Sequence, residues 1–212
     1  MYDIDLFTTP QATIDLLHAQ GRKVICYFSA GSYENFRDDA AMFPKKILGK
    51  KMQGWNDEKW LDVGHFSVFA PVMQKRLDLA VTKKCDGVDP DNMDGYQNKT
   101  GFKLTYNDQL QYAKWIAKEA HARGLAVGLK NNIDQIADLV MDFDFAVNEQ
   151  CFQYKECDKL LPFIKQNKPV FGVEYQLKPQ KFCSKALAAQ FSTLKMELAL
   201  KGKRIGCEIY VM

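Results

Sequence analysis

Short apolar runs alternate along the chain with stretches in which apolar residues recur at three- and four-residue spacing. The runs cover residues 2–7, 24–28, 86–88, 125–129, 143–147, 170–173 and 204–209. Their aliphatic, β-branched and aromatic character suits strands buried on both faces. Between them the helices carry their own punctuation. Thr9-Pro10 opens one, with Ile14 and Leu17 on its inner face and Gly21 as its stop. Thr105, with Asp108 three residues on, caps another that presents Leu110, Ala113, Ile116, Ala117 and Ala120 before Gly124. Ile133, Ile136, Ala137 and Val140 mark a third; Phe191, Leu194 and Leu198 mark a fourth that Gly202 ends.

Regular βα alternation predicts a parallel sheet covered by helices, and so many strands favour closure over an open sheet. The expected fold class is α/β, a (β/α)8 TIM-like barrel of which seven strands are clear. Such barrels usually take about 250 residues, and this chain has 212. A weak eighth strand is expected at Leu61-Asp62-Val63, inside a long irregular region over residues 29–66. A loop of that length in a compact domain is usually functional. Without a Pro-, Gly- or Ser-rich linker, a low-complexity run or a repeat, residues 1–212 are expected to form a single domain.

Composition narrows the partners. A net charge of +3 with scattered lysine pairs gives no basic stripe, so nucleic acid is not an expected ligand. No apolar run approaches the ~20 residues of a membrane span, and the start Met1-Tyr2-Asp3-Ile4-Asp5 lacks a signal-peptide profile. The six cysteines fit either three disulfides in an oxidising compartment or buried thiols. Cys151 and Cys157, in a polar stretch, are expected to close a loop; Cys183–Cys207 and Cys26–Cys85 would complete the set. No CxxC pair occurs and His18, His65 and His121 are isolated, so neither a metal nor a cofactor is expected.

Polar residues gather at the carboxyl ends of the strands, where barrels place their active sites. Cys85-Asp86-Gly87-Val88-Asp89-Pro90-Asp91-Asn92-Met93-Asp94-Gly95-Tyr96 carries four carboxylates in nine residues, with Pro90 and Gly95 expected to end regular structure. Asp5 stands late in the first strand, and Ser29-Ala30-Gly31-Ser32-Tyr33-Glu34 follows the second. Lys130, Asn131 and Asn132 follow the fourth strand, Asn148, Glu149 and Gln150 the fifth, and Glu174-Tyr175 the sixth. Taken singly, each is explained by capping or loop fixing; Asn131 and Asn132 could cap the helix at Ile133. Six strand ends of one kind point instead to a cleft. GxSxG, HExxH and glycine-rich phosphate signatures are absent. What is left is carboxylates flanked by amides and aromatics, the equipment of glycosidic-bond cleavage: one acid protonates the leaving oxygen, the other attacks the anomeric carbon or activates water. Trp55, Trp60, Tyr27, Tyr33, Tyr96 and Tyr175 supply flat faces for sugar rings, with packing as the alternative use of the tryptophans.

The segments Tyr2-Asp3-Ile4-Asp5-Leu6-Phe7, residues 24–34, the run from Cys85 to Tyr96, Gly128-Leu129-Lys130-Asn131, Asn148-Glu149-Gln150-Cys151 and Val173-Glu174-Tyr175 together resemble glycoside hydrolase family 114. These are the endo-α-1,4-polygalactosaminidases, a group that includes spherulin-like proteins. The resemblance runs in order over nearly the whole chain. It implies a TIM-like barrel that cuts α-1,4-linked galactosamine polymers, usually outside the cell; a cytoplasmic place stays open. Carried onto this chain, it implies a catalytic pair of Asp91 as nucleophile and Glu149 as acid/base, in a retaining mechanism. Asp5, Glu34, Asp89, Asp94 and Glu174 would meet ammonium groups of the polymer. Lys130 and Asn131 would bind hydroxyls, and Lys130 would keep a neighbouring carboxylate ionised. Tyr27, Tyr33, Asn92, Tyr96, Asn148 and Tyr175 complete the expected binding set, in a monomer. Family members usually carry an upstream strand with a Trp-Gln-Trp-Gln-Leu-like segment, which this chain lacks. Either the start is internal to a longer protein or the barrel is open, and a non-catalytic glycan-binding or cell-wall protein is the alternative reading.

Overall fold

Thr105 begins its helix as its spacing requires. Its hydroxyl accepts the Asp108 N–H at 3.1 Å, and the Asp108 carboxylate accepts the Thr105 N–H at 2.8 Å, a reciprocal capping box. The helix that follows, Tyr106–His121, buries Tyr112, Ala113, Ile116, Ala117 and Ala120. Gly124 closes it at φ +72°, and Gly21 closes the first helix at φ +70°, conformations that cost a side-chain-bearing residue more than glycine.

The structure, a computed structural model, describes residues 1–200 and 202–210. In chain order the strands and α-helices are β1 (Tyr2–Asp5), α1 (Gln11–Ala19), β2 (Val24–Ser29), β3 (Ser32–Glu34), β4 (Leu48–Met52), β5 (Trp55–Leu61), α2 (Ala70–Thr82), β6 (Gly87–Asp91), α3 (Tyr106–His121), β7 (Ala126–Lys130), α4 (Ile136–Leu139), β8 (Phe145–Glu149), α5 (Cys151–Tyr154), α6 (Leu161–Lys165), β9 (Val170–Glu174), α7 (Cys183–Ala188), β10 (Ser192–Met196), β11 (Arg204–Gly206) and α8 (Cys207–Tyr210). The chain divides into two compact units, Met1–Gly128 and Leu129–Met212.

In the first unit β1, β2, β6 and the start of β7 pair in parallel. The register sets Asp5 beside Tyr27, Tyr27 beside Asp89 and Ser29 beside Asp91. Phe28, Phe69 and Tyr112 are fully buried, each worth roughly 1.5–3 kcal/mol relative to exposure. Tyr112 also donates its hydroxyl to the Ala30 carbonyl at 2.7 Å. In the second unit β8, β9 and β10 pair in parallel, and β11 joins β10 in antiparallel. Phe152 stacks on Phe182 there, and Phe145 meets Phe171 edge-on.

Four expectations are corrected. The region over residues 29–66 is not irregular: it carries an antiparallel sheet in the order β3-β5-β4, and of the weak strand expected at Leu61-Asp62-Val63 only Leu61 is in a strand, as the last residue of β5, before a turn that begins at Val63. Pro90 does not end the strand before it but lies inside β6. The β6–β7 pairs are Gly87 with Ala126 and Val88 with Val127, so the missing N–H of Pro90 falls past them. Residues 191–198 are not helical; Gln190 at φ +60° ends the turn after α7, and Ser192 to Lys195 pair with β9, burying Thr193. The strand at 204–209 stops at Gly206, where Cys207 turns into α8 and bonds to Cys183 of α7.

Cys26–Cys85, Cys151–Cys157 and Cys183–Cys207 are all formed, and no cysteine is left as a thiol. The first joins residues 59 apart and the second residues 6 apart. Loop-closure entropy therefore favours the first, at about 4 kcal/mol against about 2 kcal/mol. Replacing Cys26 and Cys85 with serine should lower the unfolding free energy by about 2–5 kcal/mol, more than replacing Cys151 and Cys157. Denaturant titration of both double variants, with the other bridges intact, checks the order.

Candidate active site

In the first unit the strand pleat sets Tyr27 and Ser29 beside Asp89 and Asp91. The Asp91 carboxylate accepts the Tyr27 hydroxyl at 3.2 Å and the Asn92 N–H at 2.7 Å. Asn92 takes the left-handed conformation, φ +63°, which an asparagine tolerates better than most residues. The turn after β2 packs on it so closely that a Cβ at Gly31 would lie 1.7 Å from the Asn92 carbonyl oxygen. Only glycine fits there. Asp89, one pleat deeper on β6, is buried. Asp94 precedes a single turn at Gly95–Gln97, and Tyr96 rests edge-on against Tyr106. Tyr33, on β3, meets Phe43 edge-on.

Asp5, Glu34 and Asp39, in the same unit, face arginines. Arg37 donates to both oxygens of Asp5, at 3.0 and 2.7 Å, and to Glu34 at 2.9 Å. Burial pushes the Asp5 carboxyl up, but hydrogen bonds from Arg37 and Thr8 outweigh it and hold the group below its usual range. Arg76 grips both oxygens of Asp39, at 2.7 and 2.8 Å, donates to the Ser29 carbonyl at 2.6 Å and comes within 3.7 Å of Glu34. The cation that Asp5 and Glu34 meet in this structure is thus Arg37, in the position sequence reasoning gave to a substrate ammonium.

In the second unit, the end of β8 carries Glu149 among donors. Asn131 Nδ2 reaches Glu149 Oε2 at 3.1 Å, Lys130 Nζ lies 3.8 Å from the same oxygen, and the Tyr175 hydroxyl donates to Oε1. Asn131 sits at φ +49°, and its side-chain oxygen accepts the Glu149 N–H at 2.9 Å; it serves the carboxylate strand rather than capping the helix at Ile133. Asn148 accepts the Cys151 N–H at 3.1 Å, which starts α5. Glu174, on β9, accepts the Phe152 N–H at 2.8 Å and is buried. Burial pushes its carboxyl above the ordinary value, against the pull of the Phe152 and Gln153 N–H groups and the Lys195 charge.

Glu58 was missed by sequence reasoning. It stands in the charged run Trp55-Asn56-Asp57-Glu58-Lys59-Trp60, which reads as solvent-facing, yet Glu58 and Trp60 are buried and Trp55 is exposed. The signal available was the alternation itself, since Glu58 and Trp60 share one face of a strand. Arg76 and the partners of Arg37 were likewise hidden, because an arginine in a sequence does not disclose its carboxylates.

Residues 1–211 match the sequence profile of glycoside-hydrolase family GH114. The chain belongs to that family. It is a glycoside hydrolase with the TIM-like barrel fold. Ega3 of Aspergillus fumigatus, solved in complex with galactosamine, is 42% identical with a TM-score of 0.92, over 97% of this chain and 87% of that one. The glycoside hydrolase domain of PelA from Pseudomonas aeruginosa shares the fold at 14% identity and a TM-score of 0.72, over 96% and 89% of the two chains. A GH18 chitinase from Pseudoalteromonas aurantia shares it more distantly, at 13% identity and a TM-score of 0.52, over 91% and 76%. No curated protein matches the chain. Three disulfides fit an oxidising compartment, and among the described residues no helix is long and apolar enough to cross a membrane.

The Glu174 environment gives the hydrolase a measurable pH response. A carboxyl raised in the folded state binds its proton more tightly there than in the unfolded chain. Its contribution is present below the ordinary value of 4.5 and is lost as pH rises through the raised folded value. Glu58 acts in the same direction. Glu174→Gln should therefore flatten the fall in stability over that window, as unfolding curves at several pH values would register.

Proposed function

We propose that this hydrolase cleaves α-1,4-linked galactosamine polymers internally and outside the cell, with Asp91 as nucleophile and Glu149 as acid/base in a retaining mechanism. The observation that carries the reading is the 42% identity to Ega3, whose structure holds galactosamine. It is supported by two carboxylates, each at the carboxyl end of a parallel strand and each fixed by hydrogen-bond donors.

Glu149 donates its proton to the glycosidic oxygen while Asp91 attacks the anomeric carbon, and the bond to the leaving sugar breaks as the glycosyl–enzyme bond forms. The Tyr27 hydroxyl and the Asn92 N–H donate to the two Asp91 oxygens and aim them. Once Glu149 has given up its proton, Tyr175, Asn131 and Lys130 receive the negative charge. Glu149 then takes a proton from water, which displaces Asp91 and returns the α-configuration. Tyr33, Tyr96, Asp89, Asp94 and Asn148 line the substrate path in this reading, and the acids there suit a polymer of protonated amines despite a net charge of +3. Asp5, Glu34 and Glu174, tied to Arg37 and to the Phe152 N–H, shape the loops that carry it.

Asp91→Asn and Glu149→Gln should each cut the release of reducing ends from polygalactosamine by on the order of 10³-fold or more, with circular dichroism unchanged. Proton NMR of the first product should show the α-anomer; the β-anomer would establish inversion and remove the nucleophile role from Asp91. Binding of the polymer by the unaltered protein without any turnover would make it a glycan-binding protein instead.

A further inference from the structure

A hydrogen-bond chain with a defined sense runs from the turn that carries Asp91 to Glu58. The Ser32 hydroxyl donates to Glu58 Oε2 at 2.6 Å. A carboxylate can only accept, and a serine hydroxyl has one proton to give. The Ser29–Ser32 contact, also 2.6 Å, must then have Ser29 as its donor. With that proton committed, Ser29 Oγ is an acceptor, and it receives Asn92 Nδ2 at 2.8 Å and the Ser32 N–H at 3.1 Å. Asn92 Nδ2 also lies 3.3 Å from Ser32 Oγ. Each side-chain step, from Asn92 through Ser29 and Ser32, points toward Glu58, so the Asn92 amide must hold its nitrogen inward and leave its oxygen as the outward acceptor. The backbone N–H of the same residue binds Asp91 Oδ1.

We propose that Glu58 is a positioning residue for the hydrolysis: as the acceptor-only end of this chain it locks Asn92 in its left-handed conformer, which keeps the Asn92 N–H on the Asp91 carboxylate and presents the amide oxygen to an N–H or O–H of the sugar. The inference rests on Asp91 being the nucleophile. Ser29 and Ser32 are fully buried and Glu58 is nearly so, which shields the chain from competing water. Burial, together with the charges of Glu34 and Asp91, pushes the Glu58 carboxyl up against the Ser32 hydrogen bond and the Arg37 charge. No step of the chemistry needs Glu58 to touch substrate.

The test compares Glu58→Leu, Ser32→Ala, their double variant and Glu58→Gln on polygalactosamine, with thermal unfolding recorded for each and Asp91→Asn as control. Glu58→Leu and Ser32→Ala should each lower kcat by about tenfold or more while KM moves little. The double variant should lose no more than the worse single, since both cut one chain. Glu58→Gln, which keeps an acceptor for Ser32, should recover part of the loss. Unchanged kcat in Ser32→Ala, or losses that multiply in the double variant, would overturn the role; Ser32→Ala keeps the test decisive should Glu58→Leu fail to fold. If Asp91→Asn retains activity, the nucleophile assignment fails and the inference falls with it. An inactive Asp91→Asn beside fully active Glu58 and Ser32 variants defeats the inference alone.

Discussion

The first unit depends on two guanidinium groups placed under its acids. Glu34 and Glu58 are direct cross-strand partners on β3 and β5, and both are buried. Like charges opposed in a sheet destabilise it, and an uncompensated buried carboxylate costs several kcal/mol. Arg37 answers by joining Glu34 to Asp5, which stands on β1, while Arg76 joins Asp39 to the Ser29 carbonyl and approaches Glu34. Phe7 lies under both guanidinium groups, 4.5 Å from one and 5.1 Å from the other. Arginine suits this post because its planar fork serves two oxygens or two residues at once without losing its charge. Without these cations the strand ends could not hold so many acids, and the turn over residues 29–32, on which Asn92 rests, would lose its floor.

The second unit solves a similar problem with amides and a tyrosine. Asn131 is the pivot: one side-chain atom donates to the Glu149 carboxylate, the other accepts the Glu149 backbone N–H. An asparagine at φ +49° can do both because its short side chain folds back along the neighbouring strand. Lys130 adds a charge 3.8 Å away. That charge is strongest in effect where water is excluded, and Lys130 is itself buried.

How much of this was legible beforehand follows from what sequence patterns record. The parallel strands β1, β2, β6, β7, β8 and β9 announced themselves because burial on both faces demands apolar runs, and the Thr105–Asp108 box did so because capping is local. The short Cys151–Cys157 loop was legible from its spacing, whereas Cys26–Cys85 and Cys183–Cys207 join residues 59 and 24 apart, which spacing does not fix. The segment at 191–198 misled because Phe191, Leu194 and Leu198 fit helical spacing, while the decisive fact, pairing with β9, is non-local. Glu58 and Arg37 were illegible for the same reason: their meaning lies in partners 26 to 32 residues away. The strand ends that carry Asp91 and Glu149 could be read from the βα order alone, whereas the side-chain donors that hold those carboxylates, Tyr27, Asn131 and Tyr175, are non-local.

The acidic run at 86–94 shows how one residue type takes several roles from position alone. Asp86 stands just before β6 and is held by His18 at 2.8 Å, Lys23 at 2.6 Å and the Val24 N–H at 2.9 Å, which ties it to the strand entrance. Asp89 and Asp91 are two apart and so share a face of β6, but Asp89 is buried and Asp91 only half-buried. Asp94 follows the strand and starts a turn, its carbonyl accepting the Gln97 N–H at 3.0 Å. The pleat thus leaves a single acid of the run both partly exposed and held at the carboxyl end of β6 by a hydroxyl and a backbone N–H. Position along the strand, more than residue type, thus decides what each carboxylate of the run does: Asp86 ties the strand entrance, Asp89 is buried in the strand, and Asp91 stands at its end, held by donors.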